Sequence, residues 1–530
     1  MFALTNRSRH AAAFFAVVFA CVVLGGCVAI DRPQSAAAKP EDIAPPAPRE
    51  FRAVWVATVA NIDWPSRPGL PVAQQRAEML AILERARALN LNAVILQVRP
   101  AADALYASRY EPWSEYLTGA QGRAPEPYYD PLKEWIEEAH RRGLELHAWF
   151  NPYRARHPSA QSELASTHLA KTHPEAVKPY GDLLWMDPGE PAAERQTLAV
   201  IRDVVRRYDV DGIHLDDYFY PYPVKAPGAG LEDPANLDFP DEASWQRYVS
   251  GGGKRSRADW RRQNVNHLIE EIYGAVHQIK PWVQFGVSPF GLGRPDRRPP
   301  GITGFSQYDS LYADAELWLQ RGWVDYLSPQ LYWPIQRTPQ AFGILLDYWK
   351  RQNTAHRHIW PGLFTSSVND TPTGWSASEI VNQIDLLRAR SADSGHVHFS
   401  MVALMQDRGV VATMLQRNRY TQAALVPASP WLEAPAPRRP GLVRRRLADG
   451  TQETSVTIRR TWWGPKAAVF AIWKRYGAEW RFSVQPAAER IIDLAPDREL
   501  GTVDAVVVSA AGRLGNESPR ATLHVGPAAD

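Results

Sequence analysis

Two consecutive aspartates follow a short apolar segment near the middle of the chain. The segment is Gly212-Ile213-His214-Leu215, and Asp216 and Asp217 come directly after it. If the segment is a β-strand, alternation places Asp216 on one face of the sheet and Asp217 at the strand tip. Adjacent carboxylates beside an apolar strand are costly unless they are solvated, paired or functional. The functional interpretation is that the two carboxyl groups are catalytic, since they follow a strand end; the alternative is helix capping or a structural salt bridge.

An aromatic segment follows these aspartates at once. Its sequence is Tyr218-Phe219-Tyr220-Pro221-Tyr222-Pro223. Aromatic rings beside a carboxylate pair are the kind of wall on which sugar rings stack, and we expect Tyr218 to contact substrate.

Polar side chains also alternate along three other apolar segments. Alternation puts Gln97 with Arg99 on one face, His147 with Trp149 and Asn151 on another, and Tyr326 with Ser328 and Gln330 on a third. A barrel-filling or loop-anchoring role is the alternative for each of them. The predicted substrate contacts are Arg99, His147, Trp149, Asn151, Tyr153, His214, Tyr218, Gln330, Tyr332 and Trp333.

Two His-x-His spacings raise the alternative of a metal site. They are His356-Arg357-His358 and His396-Val397-His398, and both fall at the beginning of predicted strands, the end of a barrel associated with stability. No His-Glu-x-x-His motif and no cysteine pair accompanies them. We therefore predict no metal and no other cofactor.

Strand-like and helical segments alternate over most of the chain, which is typical of βα units around a parallel sheet. A (β/α)₈ TIM barrel spanning residues 49–425 is the predicted fold, with chemistry at the carboxyl ends of its strands and residues 293–304 as a long loop there. An open doubly wound sheet is the alternative, but no glycine-rich phosphate loop follows the first strand. The predicted strands are Arg52–Thr58, Ala93–Arg99, Leu144–Asn151, Gly212–Asp217, Val283–Ser288, Tyr326–Gln330, Ile359–Leu363 and His398–Met401.

The composition changes after residue 430. Short β-rich segments without helices predict a small all-β sandwich over residues 431–527. The segment Val503–Ser518 resembles the last hairpin of a fibronectin type III-like module. Four tryptophans here, namely Trp462, Trp463, Trp473 and Trp480, are expected to pack in the sandwich core, with carbohydrate stacking as the alternative.

The first 27 residues resemble a bacterial lipoprotein signal. Arg7 and Arg9 precede an apolar segment of 14 residues, Ala11–Leu24, which ends at Leu24-Gly25-Gly26-Cys27. We predict a signal peptide over residues 1–26, lipidation of Cys27 and an Ala- and Pro-rich tether over residues 27–48. An ordinary secretory signal is the alternative. Val28 in place of aspartate favours the periplasmic face of the outer membrane as the location.

Charge and composition exclude other classes of protein. The formal net charge of the 530-residue chain is only +3, which gives no electrostatic footprint for nucleic acid. The hydrophobic content of 45% excludes wholesale disorder, and two cysteines exclude a disulfide framework. The basic segment Arg438–Arg446 is interpreted as a solvated stretch, with a contact to a membrane or polyanion as the alternative.

Several ordered blocks of sequence resemble the glycosyl hydrolase-like 10 family of bacterial exported proteins. The resemblance covers most of residues 49–425. The blocks are Arg49–Ser66, Leu96–Pro100, Pro112–Gly119, His147–Tyr153, Asp211–Pro223, Asp259–Arg262, Phe285–Pro289 and Ser328–Trp333.

This resemblance implies a TIM barrel that acts on glycans, with peptidoglycan strands as the polysaccharide substrate of a lipoprotein attached to the membrane through Cys27. More distantly, the fourth strand resembles that of α-amylases, where the residue at the position of Asp216 is the nucleophile. The chain departs from the α-amylase pattern because Phe285–Pro289 contains no acid. Asp217 is the first choice for the second carboxyl group, and Glu111, Glu232 and Asp233 are the alternatives.

Two other functions stay open at this point. One is a non-catalytic glycan-binding lipoprotein that holds the cell wall through its aromatic residues. The other is a metal-dependent deacetylase, which the position of the histidines disfavours.

Overall fold

Nine parallel strands form the central sheet of the computed structural model, which describes residues 43–226, 236–369, 371–391, 394–445 and 454–525. Along the sheet the order is β7-β6-β5-β4-β3-β2-β1-β9-β8, so that β7 and β8, separated by two residues, are its two edges. The strands are β1 (Phe51–Val56), β2 (Ala93–Arg99), β3 (Glu145–Phe150), β4 (Gly212–Leu215), β5 (Gln284–Val287), β6 (Tyr326–Leu327), β7 (His358–Ile359), β8 (Gly362–Leu363) and β9 (Gly395–His398).

Helices connect these strands and cover the outer face of the sheet. Two of them begin directly after a capping residue, because the side chains of Asp130 and Ser256 accept hydrogen bonds from the first-turn amides of their helices. The helices of eight or more residues are Val72–Ala88, Pro131–Arg141, Pro191–Arg207, Glu242–Ser250, Arg257–Ile279, Phe342–Gln352, Ala377–Arg390 and Val411–Asn418; the shorter ones are Glu115–Thr118, Leu169–Thr172, Gln307–Ser310, Ala315–Arg321 and Met401–Met405.

The sheet curls until side chains of its distant strands meet on the inner face. The ring of Phe51 in β1 stacks on Trp360 with centroids 3.9 Å apart and lies 6.0 Å from the ring of Tyr326 in β6. Two glycines leave room for these side chains on the inner face of the sheet. A Cβ on Gly212 would lie 2.3 Å from His147, and one on Gly286 would lie 2.0 Å from the Tyr326 ring. The predicted α/β fold of the TIM-barrel-like type is confirmed.

One predicted strand is displaced along the chain. We expected His398–Met401, whereas β9 spans Gly395–His398 and the helix Met401–Met405 follows almost directly. The strand contains one apolar side chain, Val397, because His396 and His398 face outward and both bond the hydroxyl of Tyr420. These histidines therefore lie within a strand and not at its beginning.

A small antiparallel sheet is inserted after β3. Its strands are Arg154–Arg156, Leu183–Met186 and Val177–Tyr180, in that spatial order. The insertion begins four residues beyond the end of β3, so it places Arg154 beside the carboxyl ends of the central strands.

The C-terminal region contains only β-strands. One sheet has the order β10-β11-β14 and the other β13-β12-β15-β16. Both sheets contribute side chains to one buried cluster that includes Val456, Ile472 and Val506. The strands are β10 (Leu442–Val443), β11 (Ser455–Ile458), β12 (Val469–Tyr476), β13 (Glu479–Pro486), β14 (Ile491–Asp493), β15 (Ala505–Ala511) and β16 (Ala521–His524).

The tryptophans of this region divide into two groups. Trp473 is buried and Trp480 is half-buried, as expected for packing. Trp462 and Trp463 were also expected in the core, but 77% and 67% of their surfaces are exposed, because they lie in the loop between β11 and β12.

Some predicted features fall outside the described residues. The signal peptide, Cys27 and most of the tether are among them, as are Glu232 and Asp233. Of the residues that the structure describes, none belongs to a helix with the length and apolarity needed to cross a membrane.

Candidate active site

Asp216 lies at the carboxyl end of β4, on the inner face of the sheet. Its carboxylate accepts hydrogen bonds from Trp149 Nε1 at 3.0 Å and from Asn151 Nδ2 at 3.1 Å, and both donors belong to the end of β3. The amide of Asn151 is fixed in this orientation because its Oδ1 accepts the backbone N–H of Tyr153 and Arg154. Asp216 is therefore held rigidly by two N–H donors.

Asp217 projects from the same strand end toward different neighbours. It is 2% exposed, and its carboxylate accepts the hydroxyl proton of Tyr222. Burial raises the pKa of Asp217, and hydrogen bonds from Tyr222 and Gln330 oppose this rise. The two consecutive carboxylates thus lean apart, Asp216 toward β3 and Asp217 toward the segment that follows β6.

Arg154 is the cation whose charge acts on both carboxylates of this pair. Its guanidinium lies 4.4 Å from the centroid of the Tyr218 ring, and its charge lowers the pKa of both aspartates. For Asp216, burial is the larger cause and raises the pKa to about 7, with a further rise from the charge of Asp217. Burial and the charge of Asp217 therefore outweigh the one nearby cation at Asp216.

Half-buried aromatic rings surround the two aspartates. Tyr222 stacks on Phe305 with ring centroids 5.2 Å apart, and Phe290 contacts the ring of Trp333 edge-on at 5.6 Å. Tyr332 stacks on Phe364 at 4.9 Å. These rings, together with Tyr218, form an aromatic rim at the carboxyl end of the sheet.

Six of the ten predicted substrate contacts come together at this place. Trp149 and Asn151 hold Asp216, and Gln330 lies beside Asp217. The other three belong to the aromatic rim and are Tyr218, Tyr332 and Trp333.

Arg99 and Tyr153 do not face the site. The Arg99 guanidinium is completely buried, pairs with Glu111 at 2.6 Å and donates to the carbonyl oxygens of Asn151 and Pro152. Tyr153 is 1% exposed and packs in the outer core. For Arg99 the loop-anchoring alternative fits, because all its donors are directed at protein groups.

His147 and His214 lie deeper inside the curled sheet. Both rings bond the hydroxyl of Tyr326, at 2.9 and 3.0 Å, and His214 Nε2 also lies 3.1 Å from the hydroxyl of Ser288. Burial lowers the pKa of His214 far below its usual value. The barrel-filling alternative fits these two residues. Alternation along the strands predicts that they lie on the inner face of the sheet, but it does not predict how far they lie from the carboxyl ends of the strands.

The remaining polar candidates have partners of their own. Glu111 is engaged by Arg99, so it is not free to act as an acid on substrate. His358 lies 3.1 Å from the hydroxyl of Ser429, while His398 bonds Thr365 and Tyr420. Within the described ranges, no three His, Cys, Asp or Glu side chains are grouped as metal ligands.

Sequence reasoning missed Arg154 and gave Tyr222 no individual role. Arg154 follows Asn151 by three residues, and its location depends on the inserted sheet, which the sequence analysis did not predict. Two buried carboxylates need a cation nearby, and this requirement is what could have indicated Arg154 in the sequence.

A large cavity lies elsewhere in the described part of the molecule. It has a volume of about 1010 Å³ and is lined by residues near the amino ends of the central strands, such as Leu144 and Asp211, and by residues of the C-terminal sheets, such as Val469 and Ala511. Asp209 and Asp211 in its lining are paired with His140 and Arg513. Because active sites of barrels lie at the carboxyl ends of the strands, Asp216 and Asp217 are the candidate catalytic pair.

The chain is similar to several known proteins. The model of the family described as glycosyl hydrolase-like 10 matches residues 50–376. The chain is 41% identical to glycosyl hydrolase YngK of Bacillus subtilis over 75% of this chain and 77% of that protein. It is 36% identical to glycosyl hydrolase DigH of Escherichia coli over 60% of this chain and 74% of that protein. The glycoside hydrolase domain of PgaB from Bordetella bronchiseptica overlaps 69% of this chain and 98% of its own, with a TM-score of 0.44 and 14% identity.

The matched region contains every central strand up to β8, the inserted sheet and the two aspartates. The extent of the match settles the relationship: this chain belongs to the glycosyl hydrolase-like 10 family.

Proposed function

We propose that this protein is a glycoside hydrolase that cleaves glycosidic bonds in bacterial cell-wall glycan, with peptidoglycan strands as the substrate. The observation that carries the proposal is the pair Asp216 and Asp217, two buried carboxylates with one cation at the carboxyl end of β4. Its membership of a glycosyl hydrolase-like family, and relatives that bear the name glycosyl hydrolase, support the same reaction class.

The chemistry requires one carboxyl group that is ionised and one that is protonated. Asp216 is the nucleophile or general base, because two N–H donors and Arg154 stabilise its anion. Asp217 is the general acid that protonates the leaving oxygen. Burial raises the pKa of Asp217, and the residue lies at the tip of the strand.

The aromatic rim is the proposed sugar-binding surface. Sugar rings stack on aromatic faces, and half-buried rings such as Tyr218, Tyr332 and Trp333 combine a fixed position with an accessible surface. Gln330, beside Asp217, supplies an amide for hydrogen bonds to sugar hydroxyl or N-acetyl groups.

The finer architecture belongs to the proposal as well. We infer that the segment His358–Leu363 closes the central sheet into an eight-stranded (β/α)₈ barrel over residues 49–425, since Gln330 and Gly362 are bridged in parallel across the gap. The C-terminal sheets, with their shared core cluster, are assigned to a fibronectin type III-like sandwich over residues 431–527.

The cellular location is proposed from the N-terminal sequence. Residues 1–26 are the signal peptide, Cys27 carries the lipid, and residues 27–48 tether the protein to the periplasmic face of the outer membrane. Metabolic labelling with a palmitate analogue tests this proposal: the label is expected in the wild type and absent from Cys27→Ser. Label in Cys27→Ser would contradict it.

The reaction is tested by incubating the purified protein with intact and with peptide-free peptidoglycan. We expect new reducing ends and soluble fragments whose masses identify the bond cleaved. A non-catalytic glycan-binding protein, which the exposed Trp462 and Trp463 would suit, predicts retention on sacculi without new reducing ends. Retention of that kind, unchanged after loss of both aspartates, would refute the enzymatic proposal.

A further inference from the structure

The two carboxylates of the site arise from one strand end, which restricts the mechanism. In a conventional hydrolysis the two carboxyl groups flank the scissile bond, and the nucleophile reaches the sugar from the face opposite the leaving group. Asp216 and Asp217 are consecutive residues, so both approach the substrate from the same wall. The two carboxyl groups point to different neighbours on that side of the site: Asp216 contacts Trp149 and Asp217 contacts Tyr222.

Other buried acids at this end of the sheet are committed to protein groups. Asp63 accepts the N–H of Ala57 and of Val402, Asp187 accepts that of Gly189, and Glu111 is paired with Arg99. These three acids therefore supply no further carboxylate to the described part of the site, whose acids are Asp216 and Asp217.

Asp216 is better suited to hold a group than to attack one. Trp149 Nε1 and Asn151 Nδ2 fix the direction of its carboxylate, and the orientation of Asn151 is itself locked by backbone N–H groups. A carboxylate held in this way can accept one more N–H at a defined place. The indole of Trp149 beside it supplies an apolar surface next to that place.

We propose that the substrate supplies its own nucleophile: the enzyme acts on 2-acetamido sugars, Asp216 orients the acetamido N–H, and Asp217 is the acid. The inference rests on the proposed function, replaces the nucleophile or base role of Asp216 by an orienting role, and narrows the substrate to glycans whose cleaved sugar carries an N-acetyl group. The sugars of peptidoglycan strands have this group.

The electron and proton movements balance with these groups alone. In the first step the acetamido carbonyl oxygen bonds to C1, the bond between C1 and the leaving oxygen breaks, and that oxygen takes the proton of Asp217. The carboxylate of Asp216 accepts a hydrogen bond from the N–H of the resulting oxazolinium and so stabilises this cation. In the second step water adds to C1, its proton passes to Asp217, and the bond between C1 and the acetamido oxygen breaks, which restores the amide.

Substitution of the acyl group tests the proposal directly. Peptide-free peptidoglycan is chemically N-deacetylated and then re-acylated with acetyl, difluoroacetyl or trifluoroacetyl groups, and the initial rate of reducing-end release is measured for each. Fluorine makes the carbonyl oxygen a weaker nucleophile, so we expect full recovery with acetyl and a progressive loss on the order of 10²-fold or more with trifluoroacetyl.

The alternatives give different results. Equal rates for acetyl and trifluoroacetyl strands would overturn substrate assistance while leaving glycan hydrolysis established. Absence of cleavage of every strand, native strands included, would overturn the proposed function and the inference with it.

Two variants supply a second readout that does not depend on the acyl group. On 2,4-dinitrophenyl N-acetylglucosaminide the leaving group needs no proton, so in the first turnover, followed as release of dinitrophenolate, Asp217→Asn is expected to be slowed far less than Asp216→Asn, which loses about 10²-fold or more. Far-ultraviolet circular dichroism verifies that both variants are folded. The reverse pattern, with Asp216→Asn active and Asp217→Asn inactive on this substrate, would overturn the assignment.

Discussion

The two ends of the central sheet both contain buried acids, but the balance of charge differs between them. At the amino ends, Asp211 faces His140 at 2.8 Å and Arg513 at 3.4 Å, and Asp209 faces Arg513 at 2.5 Å. At the carboxyl ends, two consecutive aspartates share Arg154 and otherwise contact neutral donors.

The consequence appears in the pKa values. Burial raises the pKa of Asp211, yet the charge and hydrogen bond of His140 and the charge of Arg513 prevail and lower it to about 2. Burial raises the pKa of Asp216 to about 7, because the charge of one cation does not offset burial and the charge of a second carboxylate. At this compensated end the ion pairs keep Asp211 ionised, whereas at the uncompensated end Asp216 is left with a pKa near neutrality.

A cavity of about 1010 Å³ lies at the compensated end, where the C-terminal sheets meet the central sheet, and Asp209 and Asp211 in its lining are already paired. The two ends thus differ in the balance of charge around these aspartates. The proposed function places the chemistry at the pair whose charge is not balanced.

The largest effect that separates the two ends is expected from Asp217→Asn. Asparagine cannot donate the proton to the leaving oxygen, so kcat on peptide-free peptidoglycan falls by about 10²- to 10⁴-fold. The matched control is Asp211→Asn at the other end, which retains wild-type kcat. Comparable losses in the two variants would remove the distinction between the ends.

Removal of the shared cation is expected to shift the pH dependence. Arg154 lowers the pKa of both aspartates, so Arg154→Met raises both and moves both limbs of the kcat/KM profile to higher pH. The control is Arg156→Met in the same short strand, whose side chain donates to the carbonyl oxygens of Ala160 and Ser162. A profile that stays in place, or moves to lower pH, would contradict the electrostatic role of Arg154.

A smaller loss is expected from Tyr222→Phe. This variant keeps the ring stacked on Phe305 but removes the hydroxyl that donates to Asp217. Hydrogen bonds to charged groups contribute about 1.5–3 kcal/mol, so kcat/KM falls roughly ten- to hundredfold. Tyr180→Phe, which loses a hydroxyl bonded to the Leu237 carbonyl, serves as the control. An unchanged rate in Tyr222→Phe would show that the hydroxyl does not act on Asp217.

The smallest effect on the reaction, and one confined to stability, is expected from Asp211→Asn. The pKa of Asp211 is lowered from 3.8 to about 2, so its ionised form adds roughly 2 kcal/mol to the free energy of unfolding at neutral pH. This contribution is present above pH 4 and is lost as the pH falls toward 2. Urea unfolding at pH 7 and at pH 2 measures it, and a stability difference from the wild type that stays the same at pH 2 would contradict the linkage.

Much of the fold follows from local pattern. Alternation and length predict most central strands to within a few residues, and they put Asp216 on the inner face beside the residues of β3 that hold it. The displacement of β9 has a local cause: the strand owes its burial to two histidines bonded to Tyr420, and no sequence pattern marks them as core.

The site could be predicted as a location but not as a set of contacts. Which strand-end residues meet the aspartates depends on depth within the curled sheet, where Tyr326 engages His147 and His214 below the site. The pairing of Arg99 with Glu111 and the placement of Arg154 depend on loops and on an inserted sheet. Such contacts are set by tertiary packing, which local sequence does not encode.

The central claim is that hydrolysis takes place at the uncompensated pair, and Asp216→Asn tests it most directly. Wild type and variant, with matched circular dichroism spectra, are incubated with peptide-free peptidoglycan, and the released fragments are quantified by reducing-end assay and mass spectrometry. We predict fragments from the wild type and a loss of about 10³-fold or more in their rate of release from the variant. Release at the wild-type rate by Asp216→Asn would contradict the account.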